Sequence, residues 1–298
     1  MSQQKFRVNN PPGMWVRTAP VVSEATKKVL LPNGHLVEKL GDTEKPDWWR
    51  IRTIVANETV EGFSNNTLMV PDGASQPAPS NLSTLLTKTL NAITQLSPNA
   101  RNNYLHAIRD GGPLFELHGI NTPLRMSHFM AQAMVECQSC TIFRESMSYS
   151  VPRMLEIFGV GNHSARITAA EAPGLAHNER ALAERVYGLG NPRKAEELGN
   201  TQPGDGFRYR GNGLFQTTGR GAHRKMAQAF GLDFENNPDL VTVSDHALKP
   251  ALKEWSENNL NKFADLNDIR TITKRINGGL NGFDQRQAFL AKFRSRLN

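Results

Sequence analysis

The sequence contains no apolar run that approaches the roughly 18 residues a transmembrane helix requires. Its first ten residues, M-S-Q-Q-K-F-R-V-N-N, also lack the apolar stretch of a secretory signal peptide. These two absences predict a protein that is not stably inserted in a membrane and that is synthesised in a cytoplasm. A chain of 298 residues with 38% hydrophobic and 21% charged residues is otherwise typical of a soluble protein, and it is long enough for two domains.

Cysteine is scarce, since Cys137 and Cys140 are the only two in the chain. Two cysteines are too few for a disulfide scaffold, and in a cytoplasm we expect both to be reduced. Their C-x-x-C spacing also occurs in zinc sites and in thioredoxin-like redox motifs. The sequence offers neither two further zinc ligands at suitable spacing nor a βαβ pattern. We therefore predict two small, partly buried thiols and no metal or cofactor.

Acidic residues are outnumbered by basic ones, which gives a net charge of +7 and a pI near 9.5. Such a balance favours polyanionic partners: nucleic acids, anionic membrane surfaces or bacterial cell walls. No run of lysine and arginine is dense enough for a nucleic-acid patch, and no zinc-finger or recognition-helix motif is present. The sequence therefore predicts no nucleic-acid binding and leaves anionic surfaces as the expected partners.

The N-terminal region, residues 1–70, alternates apolar and polar residues between turn signals, which is typical of a small all-β barrel. Its pieces V-R-T-A-P, L-P-N-G-H-L-V, D-W-W-R-I-R and E-G-F-S-N-N-T-L resemble bacterial SH3-like domains. The resemblance implies a cell-wall-binding domain. One of Trp48 and Trp49 is expected to fill the core and the other to lie on the opposite face as a binding surface. Strands are predicted over residues 15–17, 28–31, 35–40, 48–54 and 60–63.

A proline-containing stretch, residues 71–81, offers almost nothing to bury and is predicted to be a linker. From residue 82 to residue 298 the apolar pattern becomes helical, and long loops rich in glycine, asparagine and proline separate the segments. Pro250 should bend or interrupt the helix that contains it. The last helix should pack its apolar face on its own domain, rather than disturb a membrane. Later helices are predicted over residues 178–188, 219–230, 245–260, 268–276 and 283–297.

Two glutamates, Glu136 and Glu145, lie nine positions apart in this helical region. Thr122 and Pro123 predict the N-cap and first position of a helix that ends near Glu136. If that helix continued, nine residues would be about 2.5 turns and the two carboxylates would point in opposite directions. Cooperation therefore requires a turn within residues 137–140. Two glutamates at this spacing are otherwise usually solvated surface charges.

Four pieces of residues 82–298 resemble, in order, glycoside hydrolase family 19, which comprises chitinases and related phage endolysins. The family has a glutamate that closes a helix, a second in E-x-L-x-Y-S, a Y-R-G-R-G-x-I-Q-L-T-G-R loop and an I-N-G-G turn. The corresponding pieces are Glu136, E-S-M-S-Y-S from Glu145, Y-R-G-N-G-L-F-Q-T-T-G-R from Tyr209, and I-N-G-G from Ile276. The segment A-E-R-V-Y-G-L-G-N from Ala183 extends the likeness.

The resemblance implies a mainly α, lysozyme-like α+β catalytic domain that cleaves glycosidic bonds with inversion. Glu136 would be the general acid and Glu145 the base that activates water, with the carboxyl groups roughly 6.5–9.5 Å apart. The sequence context agrees. Glu136 ends a helix after an apolar run, which disfavours its charged form, whereas Glu145 follows Arg144 in a polar segment that should keep it ionised.

The family's remaining roles carry over position by position. Thr218 would be catalytic, because it would help to hold the water, and Arg286 would orient the glutamates. Residues expected to contact the substrate are Tyr149, Gln216, Asn277 and Arg286. For Tyr149 and Arg286, core packing and a structural salt bridge stay open as alternatives.

The chain departs from the family pattern at three places. Val135 stands where a histidine often precedes the first glutamate, and residues 137–140 replace the usual Gly-Gly. Ala222 and His223 stand where the family often has x-Asn-Tyr after T-G-R. The missing asparagine removes one expected contact to sugar or water without changing the predicted reaction.

A wall-binding module joined to such a glycosidase predicts an endolysin, a monomer that cleaves β-1,4 bonds between N-acetylmuramic acid and N-acetylglucosamine in peptidoglycan. It would be made in the cytoplasm of the host bacterium, be released with a holin, and act in the periplasm or cell wall. A chitinase and a contact-delivered antibacterial toxin have the same predicted chemistry. A non-catalytic wall-binding protein is a further alternative, but the presence of both glutamates argues against it.

Overall fold

The computed structural model describes residues 4–8, 14–21, 23–32, 34–72 and 81–298, and the chain divides into two compact units, Met1–Thr84 and Leu85–Asn298. Most of the predicted linker, residues 73–80, lies outside the described residues. At the two ends of the predicted linker, Pro71 is the last residue of a strand and Asn81 is the first residue of a helix. Among the helices that are described, none has the length and apolarity to cross a membrane.

In the first unit, the described residues form seven strands of one antiparallel sheet, whose order is β3-β2-β6-β5-β4-β1-β7. The five predicted strands are confirmed, with ends that differ by no more than two residues. The sheet curls into a half-barrel, so the expected closed barrel is not what these strands form. The strands are β1 (Lys5–Val8), β2 (Met14–Arg17), β3 (Lys27–Leu31), β4 (Leu36–Asp42), β5 (Trp48–Val55), β6 (Glu58–Asn65) and β7 (Met69–Pro71).

One face of this sheet buries a small aliphatic core around Val16, Val37 and Ile51. Trp49 packs against that core, since its ring lies 4.7 Å from that of Phe6. Trp48 is 8% exposed and is therefore the more buried of the two tryptophans, whereas Trp49 is only partly buried. One tryptophan is thus buried, as expected, and a binding surface at the other stays a prediction.

The second unit is mainly helical, as predicted. Extended pairing in it is limited to isolated bridges, two of which join Asn212 to Arg144 and to Thr217. Its helices are α1 (Asn81–Leu96), α2 (Asn102–Asp110), α3 (Gly112–Leu117), α4 (Pro123–Glu136), α5 (Val151–Phe158), α6 (Ala172–Leu175), α7 (Glu179–Tyr187), α8 (Pro192–Leu198), α9 (Asp205–Arg208), α10 (Arg220–Phe230), α11 (Leu248–Glu257), α12 (Leu260–Asp265), α13 (Ile269–Asn277) and α14 (Phe283–Leu297). A short 3₁₀ helix, Pro238–Thr242, precedes α11.

Helix α4 is the centre of the second unit, because every residue from Met126 to Met134 is buried. A helix that is covered on all sides must be packed by several neighbours. Phe129 contacts the rings of Phe115, Phe215 and Trp255 at 5.1–5.6 Å. Helix α14 covers another side of α4, so the prediction that the last helix packs on its own domain is confirmed.

Pro250 does not interrupt a helix, which corrects the prediction for residues 245–260. Helix α11 begins at Leu248, so Pro250 lies in its first turn, where the backbone N–H has no partner within the helix. The predicted helix is instead divided after Glu257, and α12 begins at Leu260.

The N-cap of α4 gives a test of the fold. The Thr122 side chain accepts a hydrogen bond from the Arg125 N–H at 3.3 Å. Thr122→Ala should lower the free energy of unfolding by about 1 kcal/mol, because that N–H loses its partner. Urea unfolding measures the loss. The matched variant Thr122→Ser keeps the oxygen and should stay close to wild type; equal losses in both variants would contradict the capping role.

Candidate active site

The chain turns back immediately after α4, as the glutamate spacing required. Gln138, Ser139 and Cys140 all have left-handed backbone conformations, with φ of 47°, 61° and 61°. Three consecutive non-glycine residues in this region are unfavourable and must be held by surrounding packing. Cys137 and Cys140 supply part of it: both thiols are completely buried, more than predicted, and their Sγ atoms lie 3.6 Å apart.

Glu136, the last residue of α4, forms an ion pair with Arg286 from α14. An Arg286 Nη2 hydrogen bond to Glu136 Oε1 measures 2.6 Å, and the two side chains are 2% and 14% exposed. Arg286 also donates from Nη1 to Gln132 Oε1 at 2.6 Å and from Nε to the Asn281 carbonyl at 3.3 Å. Glu136 is therefore not a solvated surface charge, and its carboxylate is paired with a buried guanidinium that the sequence pattern alone did not place there.

Glu145 is held by different groups. Its Oε1 accepts a hydrogen bond from the Gly211 N–H at 2.6 Å, and its Oε2 accepts one from the Tyr187 hydroxyl at 3.1 Å. Arg210 Nε donates to the backbone carbonyl of Glu145 at 3.3 Å. The sequence assigned no role to Tyr187. The one available signal was its place in the A-E-R-V-Y-G-L-G-N segment that resembles the family.

The surroundings of Glu145 are more buried than its polar sequence context suggested. Burial raises the pKa of Glu145 because it disfavours the carboxylate, and the hydrogen bonds from Gly211 and Tyr187 offset this only in part. The neighbouring Arg144 does not supply the expected compensation, since its guanidinium is paired with Asp239. Sequence polarity around Glu145 therefore did not indicate its surroundings, which depend on tertiary packing.

The loop after Gly211 brings two predicted residues to Glu145. A Cβ placed on Gly211 would lie 2.9 Å from Gln216 Oε1 and 3.1 Å from Glu145 Oε1, so both oxygens lie directly against this glycine. Gln216 has a left-handed backbone (φ 51°) and donates from Nε2 to the Gly213 carbonyl at 2.8 Å. The Thr218 hydroxyl donates to the Gln216 carbonyl at 2.8 Å. The loop therefore holds Gln216 beside Glu145 and ties Thr218 to Gln216.

Tyr149 and Asn277 have different surroundings. Tyr149 is partly buried and lies edge-on to Phe158, with ring centres 5.4 Å apart. Burial raises its pKa, and so does the nearby negative charge of Glu145. Asn277 is the last residue of α13, and its Oδ1 is buried without a hydrogen-bond partner in the described parts of the chain. An unpaired buried acceptor is costly, so this oxygen is a candidate to bind a ligand donor.

The two glutamates thus have separate sets of partners, Arg286 and Gln132 for one and Gly211 and Tyr187 for the other. An aromatic contact connects the two sets, because Phe129 lies two turns before Glu136 on α4 and Phe215 directly precedes Gln216. Their ring centres are 5.1 Å apart. Two carboxyl groups held independently by neighbouring elements are suited to paired acid–base chemistry. The predicted separation of the carboxyl groups stays a prediction.

A third glutamate, Glu254 on α11, was not predicted. Trp255 beside it packs on Phe129 with ring centres 5.4 Å apart, which places this part of α11 against α4. Burial raises the pKa of Glu254 to about 7, and the negative charges of Glu136 and Glu257 add to the shift. Nothing in the sequence pattern indicated it, since a single glutamate beside a tryptophan on a helix is usually exposed.

Replacing Glu254 should change how stability depends on pH. Its folded-state pKa of about 7 lies above the ordinary 4.5, so its stabilising contribution is complete below pH 4.5 and is lost as the pH rises through 7. Relative to Glu254→Gln, wild type should lose up to about 1.4 kcal/mol of unfolding free energy per pH unit in this window. Urea unfolding at a series of pH values measures the difference. The exposed Glu196→Gln is the matched control, and an equal slope for both variants would contradict the assignment.

Comparison with known proteins supplies a family. No protein-family profile matches the chain. A "Glycosyl hydrolase family 19 domain-containing protein" from Haemophilus influenzae (strain ATCC 51907 / DSM 11121 / KW20 / Rd) is 30% identical over 173 residues, which cover 57% of this chain and 79% of that protein.

Solved structures show a looser likeness. Chitinase C from Streptomyces griseus HUT6037 is 14% identical with a TM-score of 0.43, over 88% of this chain and 92% of that one. A chitinase C mutant is 14% identical with a TM-score of 0.46, over 83% and 88%. A bacterial family 19 chitinase is 15% identical with a TM-score of 0.37, over 74% and 94%. On the relationship to the Haemophilus protein, the chain belongs to glycosyl hydrolase family 19 and is a glycosidase.

Proposed function

We propose that the second unit cleaves β-1,4 bonds of bacterial peptidoglycan, as a lysozyme-type endolysin. The observation that carries this proposal is the pair of separately held carboxyl groups, Glu136 on Arg286 and Glu145 on Gly211 and Tyr187. Hydrolysis with inversion needs an acid on one side of the bond and a base with its water on the other. The net charge of +7 favours the anionic polymer of a bacterial wall over a neutral polysaccharide.

In the proposed mechanism Glu136 acts in its protonated form, donates that proton to the leaving glycosidic oxygen, and so returns to the ion pair with Arg286 that the structure shows. Arg286 then stabilises the carboxylate that remains, because the guanidinium is already 2.6 Å away and needs no rearrangement. The hydrogen bond from Arg286 to Gln132 holds the guanidinium in place when the substrate binds and leaves.

Glu145 takes a proton from the attacking water. Its raised pKa makes it a stronger base than an exposed glutamate. The bonds from Gly211 and Tyr187 fix the orientation of the carboxylate while leaving further lone pairs for the water. Thr218 uses its proton on the Gln216 carbonyl, so its oxygen can accept a hydrogen bond from that water. Gln216, Tyr149 and Asn277 are assigned to the sugar.

We assign the first unit a role in wall binding as an SH3-like module. Its support is the antiparallel sheet with an aromatic pair, Phe6 and Trp49, and the exposed Ile54 on β5. As an endolysin, the protein would be a monomer. It would be released from the host cytoplasm with the help of a holin and so reach its substrate.

Substituting either glutamate tests the mechanism. Glu136→Gln and Glu145→Gln should each lower the rate of wall digestion at least about 100-fold, because each removes one of the two proton transfers. Sedimentation with purified walls should show that binding persists. The exposed Glu196→Gln should retain full activity, and undiminished digestion by either active-site variant would refute the assignment.

The products identify the substrate. Purified peptidoglycan and chitin are digested in parallel, and the new reducing ends are identified by mass spectrometry. N-acetylmuramic acid ends support the proposal, while N-acetylglucosamine ends from walls indicate a glucosaminidase. Activity on chitin alone would replace the proposed function with that of a chitinase.

Gly211 offers a smaller perturbation. In Gly211→Ala the new methyl group would press on Glu145 Oε1 and Gln216 Oε1, so we expect about 10- to 100-fold lower turnover of walls. The matched variant is Gly174→Ala in α6, where a Cβ meets nothing within 4 Å. Both should unfold at similar urea concentrations. Equal activity of the two variants would show that the Gly211 contacts do not position the base.

A further inference from the structure

A cavity of about 560 Å³ in the second unit is lined by five arginines: Arg144, Arg180, Arg208, Arg210 and Arg220. Its volume lies within the roughly 300–1,000 Å³ typical of ligand-binding sites. Of the acidic residues, only Asp205 and Asp239 contribute to the lining. The cavity is therefore strongly cationic, and neither the family resemblance nor the proposed mechanism assigns it a role.

The cavity adjoins the site proposed for catalysis. Arg144 directly precedes Glu145 in the chain, and Arg210 directly precedes Gly211, whose N–H binds the Glu145 carboxylate at 2.6 Å. Arg210 Nε also donates to the backbone carbonyl of Glu145. A group bound between these arginines would belong to a substrate whose sugar lies at Glu145.

The two acidic residues neutralise only two of the five arginines. Arg220 forms a two-pronged ion pair with Asp205, with N–O distances of 2.5 and 2.8 Å, and Arg144 pairs with Asp239. The other three, Arg180, Arg208 and Arg210, form no ion pair within the part of the chain that the structure describes, although the more distant charges of Glu179 and Glu145 act on Arg210. Three cations on one cavity repel one another, and an anion would relieve this.

The uncompensated arginines are held in place by groups without charge. Arg180 and Arg210 both lie over the ring of Phe207, at 5.0 and 4.0 Å from its centre. Arg208 donates to the Asn236 carbonyl. Guanidinium groups fixed in this way are preorganised, which lowers the entropic cost of binding a ligand.

Two further observations show that this cavity would favour a bound anion. Arg144 Nε is buried and has no hydrogen-bond partner among the described residues. Burial lowers the pKa of both Arg144 and Arg210, and in Arg210 the charge of Arg144 adds to the effect. A buried donor without a partner and two destabilised cations are the conditions under which a bound carboxylate contributes most.

We propose that this cavity binds a carboxylate of the peptide that peptidoglycan carries on its muramic acid, and so selects an anionic glycan over a neutral one. The inference rests on the proposed function and names the part of the substrate that this site recognises. A peptide carboxylate is covalently attached next to the bond that Glu145 would hydrolyse, and the planar arginine fork matches its geometry. Chitin has no such group.

Turnover provides the first test. Arg180→Gln, Arg208→Gln and the double variant are compared with wild type on native walls and on walls whose carboxyl groups have been converted to neutral amides. Wild type should prefer native walls by about 10-fold, and the double variant should lose most of that preference, which corresponds to about 1.4 kcal/mol. All variants should digest the amidated walls at similar rates.

The exposed Arg193→Gln on α8 is the matched control, because it removes the same charge outside the cavity. It should retain the wild-type preference for native walls. If Arg193→Gln and the double variant lose the preference equally, the effect is one of net charge and the cavity has no specific role.

Binding provides a test that does not depend on turnover. Calorimetry with the Glu136→Gln protein should show about 10-fold tighter binding of a disaccharide-peptide than of its amidated form. Adding Arg180→Gln and Arg208→Gln to the same protein should remove this difference in affinity. Equal binding of the two fragments would overturn the inference. Displacement by inorganic phosphate but not by the disaccharide-peptide would also overturn it. If the wild-type protein does not digest native walls, the proposed function is wrong. The binding measurement would still show whether the cavity binds a peptide carboxylate.

Discussion

The buried ion pair between Arg286 and Glu136 is the interaction on which the arrangement of the second unit depends. Arg286 is 2% exposed, and a charge at that depth is strongly destabilising without partners. Its three nitrogens are satisfied by Glu136, Gln132 and the Asn281 carbonyl, so one side chain joins the end of α4, its interior and the turn before α14. Because Glu136 and Arg286 are 150 residues apart in the chain, α14 must be packed on α4 before the ion pair can hold Glu136 in position.

Glu145 depends on the opposite kind of constraint. Its partner Gly211 contributes a backbone N–H, and the lack of a side chain there lets the carboxylate and Gln216 approach closely. A backbone donor cannot rotate away, whereas the guanidinium at Glu136 is positioned by its own hydrogen bonds. The acid is therefore held through a network of side chains and the base through the course of the main chain. Substitutions at a distance should affect the two groups differently.

The sequence was sufficient for features with a local cause. Thr122, Pro123 and the apolar series fix both ends of α4, and the spacing of the glutamates requires the turn that follows. It was insufficient where the cause is tertiary. The raised pKa values of Glu145 and Glu254 follow from burial by distant segments, and the hydroxyl of Tyr187 reaches Glu145 only in the folded chain. The prediction for Pro250 was wrong because α11 begins at Leu248, three residues later than predicted. A proline inside a helix interrupts it, whereas a proline in the first turn is tolerated.

The charges around the two glutamates are distributed unequally. Arg286 is neutralised by Glu136, and Glu254 adds a further carboxyl group on that side. The side of Glu145 borders a cavity with five arginines and two aspartates. Such a difference acts on a bound anion, and it acts more strongly where less water surrounds the charges. An acidic substituent on a ligand would therefore be attracted toward the arginines rather than toward Glu136. A neutral polymer has no group on which these charges act, so the same asymmetry distinguishes charged from neutral ligands.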